Sequence, residues 1–410
     1  MKSAFVSTKA AALAVTALAG IPLVLSGCGA SPAPGGGAVS EITVVDYYNN
    51  EPDKSVIGNT LEACGSQSGV SIKRETIPGK SLIAKVLQQA SSKTLPDVLM
   101  LDNPDLQQIA GTGALAPLSD FKISTDGYPE GILSAGTYKD KVYGLAPTVN
   151  TIALFYNKDV LAQAGVTPPK TWEELKSAAA KLTSGDQYGL AFNANATYEG
   201  TWQFLPFMWS NGGDEKNIDT SETAEALQLW TDLVDSGSVS SSALNWTQAD
   251  VNDQFVAGKA AMMVNGPWQI PVLEKQASLQ YGVVNIPVKD ASKTAVGPLG
   301  GEVWTVPQTG NKDKQAKAAE IVACMNSDEN QLAMAKARNT IPSKTAVAEQ
   351  FAAENPKLAS FADLVKDARA RTGQLGEDWP AQATKIYTAI QTALTDKATP
   401  ADALKQAQEG

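Results

Sequence analysis

The feature that most limits the possible folds of this chain is an alternation of short β-branched runs with amphipathic segments after residue 40. Glu41–Asp46, Ser71–Ile77 and Pro96–Leu101 have the pattern of buried strands, and the helix-like segments Ser55–Ser66 and Ser81–Ser91 lie between them. Because parallel strands need a crossover that is usually a helix, this order predicts an α/β fold with a parallel sheet.

The alternation continues through the middle of the chain and gives way to helices near its end. Ile152–Tyr156 is a further apolar run, and the helix that follows it ends at Gly165. Thr171 and Glu174 have the spacing of a capping box, which predicts the start of another helix. With 410 residues the chain is longer than one hydrophobic core usually supports, so we expect two lobes. The C-terminal third has helical signals in the segments Lys314–Met325, Thr384–Thr395 and Pro400–Gln408.

The first 27 residues have the pattern of an export signal. Lys2 and Lys9 form a basic start, and the apolar stretch Ala10–Val24 is too short to span a bilayer comfortably, since spanning takes ~20 residues. The stretch ends in Leu-Ser-Gly-Cys at Cys28, which resembles the lipobox of bacterial lipoproteins; the alternative is an ordinary secretory signal with a chance Cys. We therefore expect a signal peptide at residues 1–27, then a lipidated Cys28 and a flexible tether through residue 40, which would anchor the protein on the extracytoplasmic face of the cell membrane.

The sequence contains no histidine, which excludes Ser-His-Asp and Cys-His nucleophile systems and zinc sites built on imidazole. The formal net charge is −10, and loss of Lys2 and Lys9 with the signal would leave 31 basic against 43 acidic residues, a net charge of −12. An acidic surface repels phosphate groups, so no nucleic acid partner is expected. The G-x-G-x-x-A match at Gly111–Ala116 follows a helix-like stretch and predicts only a helix end and a turn. We expect no metal and no cofactor.

Two further cysteines, Cys64 and Cys324, lie 260 residues apart in helix-like segments. Export would place them in a compartment where disulfides persist. Two buried apolar thiols are equally compatible with the sequence, which leaves the pairing open.

Several motifs that are ordinary alone occur in a characteristic order. Together they resemble the extracellular solute-binding protein family 1, a group of ABC-importer receptors that includes maltose-binding protein, over about Glu41–Gln408. The segments that carry the resemblance are Tyr143–Pro147 (YGLAP), Tyr156–Asp159 (YNKD), Ala164-Gly165, Pro168-Pro169, Thr171–Leu175 (TWEEL), Asn211–Gly213 (NGG), Phe255–Met262 (FVAGKAAM), Asn265–Trp268 (NGPW), Gly300-Gly301 and the helix from Pro400.

This resemblance implies a two-lobe periplasmic-binding-protein-like fold with a hinge and a ligand cleft between the lobes. By analogy lobe one comprises residues 39–149 and 297–342, and lobe two residues 150–296 and 343–410. The implied function is that of a monomeric, lipid-anchored receptor that captures a mono- or oligosaccharide by hinge closure and delivers it to the permease subunits of an ABC transporter.

Other functions remain open at this stage. Related receptors also take polyols, glycerol phosphodiesters and other solutes, and a surface lipoprotein can serve adhesion alone. A surface-anchored glycosidase needs only two carboxylates, and the sequence selects no pair among the candidates Glu199, Glu302, Glu377 and Asp378.

A sugar offers an apolar face that stacks on an aromatic ring and hydroxyls that need convergent polar partners. Trp268 is the first candidate ring, because it follows Gly266-Pro267 where an apolar strand ends and because the family places a stacking Trp there. Trp202, which lies beside the candidate Glu199, and Trp379, which precedes a helix, are further candidates, with packing as the alternative for each ring. Trp172 follows a helix N-cap and is expected to pack structurally.

Two groups of polar residues follow predicted strands. Asp102 and Asn103 come after the strand that ends at Leu101, and ligands of parallel α/β sheets collect beyond the carboxyl ends of strands. Capping of the next helix is the alternative role for Asp102. The resemblance implies a ligand-binding side chain at Asn150, where the maltose receptor has Glu, so this departure leaves the identity of the sugar open.

The remaining candidates are less specific. Tyr47 and Asn49 follow the first strand, with Tyr48 and Asn50 beside them, and would bring rings and amides to the edge of lobe one. Gly301 and Glu302 follow Gly300, and paired glycines permit a close approach of backbone to ligand. Arg371 is a candidate hydroxyl donor, and a solvated surface role is its alternative.

Overall fold

The computed structural model describes residues 39–355, 358–366 and 368–410. The expected signal peptide, Cys28 and most of the tether lie outside the described residues. Residues 39–410 form one compact unit. Within the described residues, no helix is both long enough and apolar enough to cross a membrane.

Most strands are short, and the longer ones form most of the two main sheets. In chain order they are β1 Glu41–Asp46, β2 Ser71–Thr76, β3 Val98–Asp102, β4 Leu115–Ala116, β5 Thr137–Tyr138, β6 Lys141–Val142, β7 Gly144–Leu145, β8 Thr148–Val149, β9 Ala153–Asn157, β10 Met262–Asn265, β11 Tyr281–Val284, β12 Pro298–Leu299, β13 Glu302–Pro307, β14 Ile341–Pro342 and β15 Arg369–Ala370.

Helices connect the strands and fill the C-terminal part. They are α1 Asp53–Gln67, α2 Gly79–Ser92, α3 Leu106–Gly111, α4 Glu130–Ala135, α5 Lys158–Ala164, α6 Trp172–Leu182, α7 Tyr198–Asn211, α8 Ser221–Asp235, α9 Gln248–Val256, α10 Ile270–Leu273, α11 Lys312–Met325, α12 Asp328–Arg338, α13 Thr345–Glu354, α14 Ala359–Lys366, α15 Trp379–Ala393 and α16 Pro400–Glu409.

The first sheet has the strand order β2-β1-β3-β13-β4, with β7 also paired to β13. Strands β1, β2 and β3 are parallel, as the alternation with helices predicts. Strand β13 arrives from the distant C-terminal half and pairs antiparallel with both β3 and β4. The predicted parallel sheet is thus confirmed for β1, β2 and β3, and the antiparallel pairing of β13 makes the whole sheet mixed.

The second sheet has the order β10-β9-β11, with both outer strands antiparallel to β9. It is buried on both faces: Phe155 contributes to the core that includes the first sheet, whereas Leu154 packs into a second core with α6, α7, α8 and α15. Trp230 anchors this second core, stacking on Phe192 at a centroid distance of 4.2 Å and meeting Phe204 edge-on.

Three chain segments run side by side near the positions where the resemblance implies crossings between lobes. Val149 of β8 pairs with Ile341 of β14, and the next residue, Asn150, forms reciprocal backbone hydrogen bonds with Gly300 at 3.1 and 2.8 Å. Strand β12 is thereby held beside the segment around Asn150.

Local signals in the sequence agree with the structure. Thr171 and Glu174 form the predicted capping box of α6, and Gly165 ends α5 in the left-handed conformation. Trp172 is buried and donates its indole N–H to the carbonyl of Pro287 at 3.0 Å, which confirms its structural role. Cys64 of α1 and Cys324 of α11 form a disulfide, with Cα atoms 5.7 Å apart.

Candidate functional site

The candidate site is built where β3 ends and β13 begins. These two strands are antiparallel neighbours, and Asp102, the last residue of β3, lies opposite Glu302, the first residue of β13. Asn103 follows in a tight turn, is buried, and donates a hydrogen bond from its side-chain nitrogen to the carbonyl of Leu299 at 3.1 Å. The pairing explains how candidates almost 200 residues apart in sequence meet at one edge of the sheet.

Arg371 joins this edge to an aromatic ring. It is 3% exposed, forms an ion pair with Asp102 at 2.8 Å and donates to the side-chain oxygen of Asn103 at 3.1 Å. Its guanidinium also lies 4.4 Å from the ring centroid of Trp202. The alternative of a solvated surface Arg is therefore wrong, because the side chain is enclosed by a carboxylate, an amide and an indole.

Asn150 approaches the same ring from the segment after β8. A Cβ atom built on Gly300 would lie 2.0 Å from Asn150 Oδ1 and 2.7 Å from the Trp202 ring. Glycine is thus required at 300 for the amide, the backbone and the indole to converge. Gly301 has a φ of +130°, which disfavours any side chain there.

The side chain of Glu302 is surrounded by hydrogen-bond donors and one cation. Its two carboxylate oxygens accept hydrogen bonds from the hydroxyls of Tyr47 and Tyr48, and Arg338 lies 3.9 Å away. Burial raises the pKa of Glu302, although Arg338 opposes the shift. Burial and the neighbouring Glu302 raise the pKa of Tyr47, so its hydroxyl remains a donor. With both of its oxygens engaged, Glu302 holds the two rings.

Arg338 is a residue of this network that the sequence pattern does not reveal. It is 4% exposed at the end of α12, forms an ion pair with Asp53 at 2.9 Å and stacks on the Tyr48 ring at 4.7 Å. It also donates to the hydroxyl of Thr148 in β8 at 3.3 Å. Nothing in the local sequence distinguishes it from a basic residue in the last turn of a helix.

Two further candidates are Trp268, which follows β10, and Glu199, which contacts the first residue of α9. The Trp268 ring is partly exposed and covers Gly266, where a Cβ atom would lie 1.9 Å from the ring. Glu199 accepts from Asn193 at 2.8 Å and from the backbone of Gln248, and burial raises its pKa. These contacts do not include the group around Arg371.

The remaining candidates lie apart from these contacts. Trp379 is 0% exposed, begins α15 instead of lying in a loop before it, and packs into the second core. In this conformation its ring faces protein on all sides. Asn49 is exposed on the segment after β1, and Glu377 and Asp378 are exposed in the turn before α15.

A buried carboxyl that sequence reasoning missed follows Asp102 by three residues. Asp105 is 5% exposed at the end of the turn that Asn103 begins, and burial, reinforced by the charge of Asp102, raises its pKa to about 8. Among the described residues, no group of three or more carboxylates or cysteines is arranged to hold a metal ion. The contacts around Arg371 bring buried polar side chains beside an indole, a combination that occurs in sites for small polar ligands.

The comparisons with known proteins identify the family. The sequence profile described as "Bacterial extracellular solute-binding protein" matches residues 59–369. The chain therefore belongs to the bacterial extracellular solute-binding proteins.

Relatives of known description are similar over nearly the whole chain. A maltooligosaccharide ABC transporter solute-binding lipoprotein of Streptococcus pneumoniae is 26% identical over 379 residues, covering 88% of this chain and 86% of the relative. A galactooligosaccharide-binding protein of Bacillus subtilis is 21% identical over 404 residues, covering 95% of this chain and 94% of the relative.

Solved structures agree in fold. The GacH receptor of Streptomyces glaucescens, solved unliganded and with acarbose, superposes with a TM-score of 0.80 at 27% identity, covering 90% of this chain and 97% of that one. The maltose-bound MalE3 of T. maritima also has a TM-score of 0.80, at 22% identity and with coverage of 90% and 98%, and supports the fold alone. The chain thus has the two-lobe α/β architecture that the resemblance implies.

Proposed function

We propose that this chain is the lipid-anchored receptor of an ABC importer and that it binds an uncharged mono- or oligosaccharide without transforming it. The observation that carries the proposal is the contact of Arg371 with Asp102, Asn103 and Trp202. It unites a carboxylate, an amide, a guanidinium and an indole, which are the groups that recognise the hydroxyls and the apolar face of a pyranose.

The same contacts support ligand-driven closure. Asp102 and Asn103 belong to the proposed lobe one (residues 39–149 and 297–342), whereas Trp202 and Arg371 belong to the proposed lobe two (residues 150–296 and 343–410). A ligand drives closure only if it binds the closed state more tightly than the open one, and a site with residues from both lobes meets that condition. The paired segments around Asn150, Gly300 and Ile341 are the proposed hinge.

The proposal for the anchor and the partners rests on the sequence and on the relatives. Cys28 follows an apolar signal and precedes a Gly- and Pro-rich tether, and the relative from Streptococcus pneumoniae is described as a lipoprotein of an ABC transporter. We place the protein on the extracytoplasmic face of the cell membrane as a monomer that delivers its solute to the permease subunits.

A thermal-shift screen tests the binding function. The chain from residue 29 onward, which contains the whole compact unit, is heated with maltose, maltotriose, a galactooligosaccharide, a polyol and a glycerol phosphodiester. A bound solute at 100 times its Kd stabilises the folded state by about 2.7 kcal/mol, so a sugar ligand raises the melting temperature by a measurable amount.

The follow-up separates binding from catalysis. Calorimetry on the sugar that gives the largest shift is expected to show one site per chain, and chromatography of the mixture is expected to return the sugar unchanged. Hydrolysis of the sugar would overturn the receptor assignment in favour of a glycosidase. A shift only with the glycerol phosphodiester or the polyol would overturn the assignment of a sugar.

A further inference from the structure

Asp105 is a buried carboxyl that the contacts described above leave unexplained. It ends the turn after β3 and stands immediately before α3, but its side chain caps no helix. It is 5% exposed, and Oδ1 is fully enclosed without a hydrogen-bond partner in the part of the chain that the structure describes. Buried polar atoms are almost always hydrogen-bonded in folded proteins, so an unpaired one needs an explanation. A bound ligand supplies that explanation where unpaired donors and an unpaired acceptor belong to neighbouring residues.

Two more unpaired polar atoms belong to neighbouring residues. Arg371 Nε and Trp202 Nε1 are enclosed and lack hydrogen-bond partners among the described residues. Arg371 contacts Trp202 directly, and its charge acts on Asp105. Two unpaired donors therefore belong to the same group of side chains as one unpaired carboxyl oxygen, a combination that a molecule rich in hydroxyl groups can satisfy.

We infer that Asp105 is a further ligand-binding residue and that its carboxyl donates a hydrogen bond to a hydroxyl of an uncharged carbohydrate. The inference rests on the proposed function. A protonated carboxyl donates as well as accepts, whereas a carboxylate in an ion pair, as Asp102 forms with Arg371, only accepts. The two carboxyl groups therefore recognise hydroxyls in opposite senses, one as acceptor and one as donor.

The surroundings keep the proton on Asp105 near neutral pH. Burial is the largest cause that raises its pKa to about 8, the charge of Asp102 adds to it, and Arg371 opposes it. The titratable and charged groups that face it are Asp102 from β3, Arg371 after β15 and Tyr198 of α7. Burial raises the pKa of the Tyr198 hydroxyl, and the neighbouring Tyr387 of α15 raises it further. Helix α3 carries no ionisable side chain.

The test compares three variants of the chain from residue 29 onward by calorimetry between pH 6 and pH 9, with the sugar of the panel that binds the unmodified protein most tightly. Asp105→Asn keeps a donor and an acceptor in the same shape. Asp105→Leu removes both while keeping the volume. Asp120→Asn makes the same change in charge at an exposed position and is the matched control.

The unmodified protein and Asp120→Asn are expected to lose affinity between pH 7 and pH 9. Asp105→Asn is expected to bind within about threefold of the unmodified protein at pH 6 and to lose the pH dependence. Asp105→Leu is expected to bind at least about tenfold more weakly at pH 6, which corresponds to one missing hydrogen bond in a buried site.

Two results would overturn the inference while leaving the receptor function intact. One is an Asp105→Leu variant that binds the sugar as tightly as the unmodified protein at pH 6. The other is an Asp105→Asn variant that keeps the original pH profile. If Asp105→Leu fails to fold, as judged by its thermal transition, the profile of Asp105→Asn decides. An unmodified protein that binds no sugar of the panel removes the proposed function and this inference together.

Discussion

The guanidinium of Arg371 lies 4.4 Å from the ring centroid of Trp202 while one of its nitrogens contacts Asp102 at 2.8 Å. One side chain thus links the carboxyl end of β3 to the first turns of α7. A planar guanidinium can stack on a ring and bond a carboxylate at once, whereas a Lys ammonium provides only a point charge. Because the same side chain makes both contacts, we expect substitution of Arg371 to change stability and ligand affinity together.

Removal of this ion pair is expected to reveal that coupling. Arg371→Met and Asp102→Asn each lower stability, and a double-mutant cycle by chemical denaturation should give a coupling energy of about 1–3 kcal/mol. Both variants should also bind sugar more weakly. The matched control is Arg369→Met, because Arg369 makes the same two kinds of contact with other residues. Its guanidinium lies 4.8 Å from the centroid of the Trp209 ring, and it forms an ion pair with Glu215 at 2.7 Å. Equal losses of affinity in Arg369→Met and Arg371→Met would contradict a specific role for Arg371.

Trp268→Ala is expected to weaken sugar binding by at least about 1 kcal/mol, because stacking of a ring on the apolar face of a sugar is lost. The ring is partly exposed, so the change in melting temperature should be small. Trp172→Ala is the control and should behave in the opposite way, since Trp172 is buried and bonded to Pro287. Unchanged affinity of Trp268→Ala in calorimetry would remove this residue from the site.

Gly300→Ala is expected to reduce sugar affinity at least about tenfold. Displacement of a residue that contacts the sugar loses at least the free energy of one hydrogen bond to it. The new Cβ atom would lie 2.0 Å from Asn150 Oδ1 and 2.7 Å from Trp202, so both groups must move. Gly131→Ala in α4 is the control, because no atom lies within 4 Å of its Cβ position. The prediction fails if calorimetric titration with sugar gives the same affinity for both variants.

Loss of the disulfide is expected to reduce stability without affecting the site. Cys64 and Cys324 close a loop of 260 residues, and removal of a native disulfide typically costs about 2–5 kcal/mol. The measurement is denaturant unfolding with and without reductant, and the double variant Cys64→Ala, Cys324→Ala should be insensitive to reductant. Sugar affinity should be equal in the two states, and a large drop on reduction would show that the bridge supports the site.

Stability is expected to fall with rising pH partly because of Asp105. Its pKa is about 8 in the folded state and about 3.8 in the unfolded chain, so between these values folding binds a proton. The contribution is fully favourable below pH 4 and is lost as the pH rises toward 8, by up to about 1.4 kcal/mol per unit. Asp105→Asn should therefore gain stability over the unmodified protein between pH 5 and pH 8. A constant difference across that range would show that the carboxyl is ionised throughout.

Much of the local structure follows from the sequence alone. The run Glu41–Asp46 predicts β1 to the residue, and the capping box at Thr171 and the glycine at 165 mark helix ends that the structure confirms. These signals are reliable because they depend on side chains within a few residues of each other, whose geometry is set by the backbone of one turn or strand. The ordered motifs add the family and, with it, the two-lobe architecture.

The partners within the site follow only from the tertiary structure. Arg371 and Asp102 are 269 residues apart, and they meet because β13 pairs antiparallel with β3 and β15 pairs with β12. The burial of Trp379 and the unpaired carboxyl of Asp105 likewise depend on which elements pack around them. A periodic pattern determines which face of an element is buried, but the choice between distant partners is made by the free energy of packing the whole chain, which no local pattern contains.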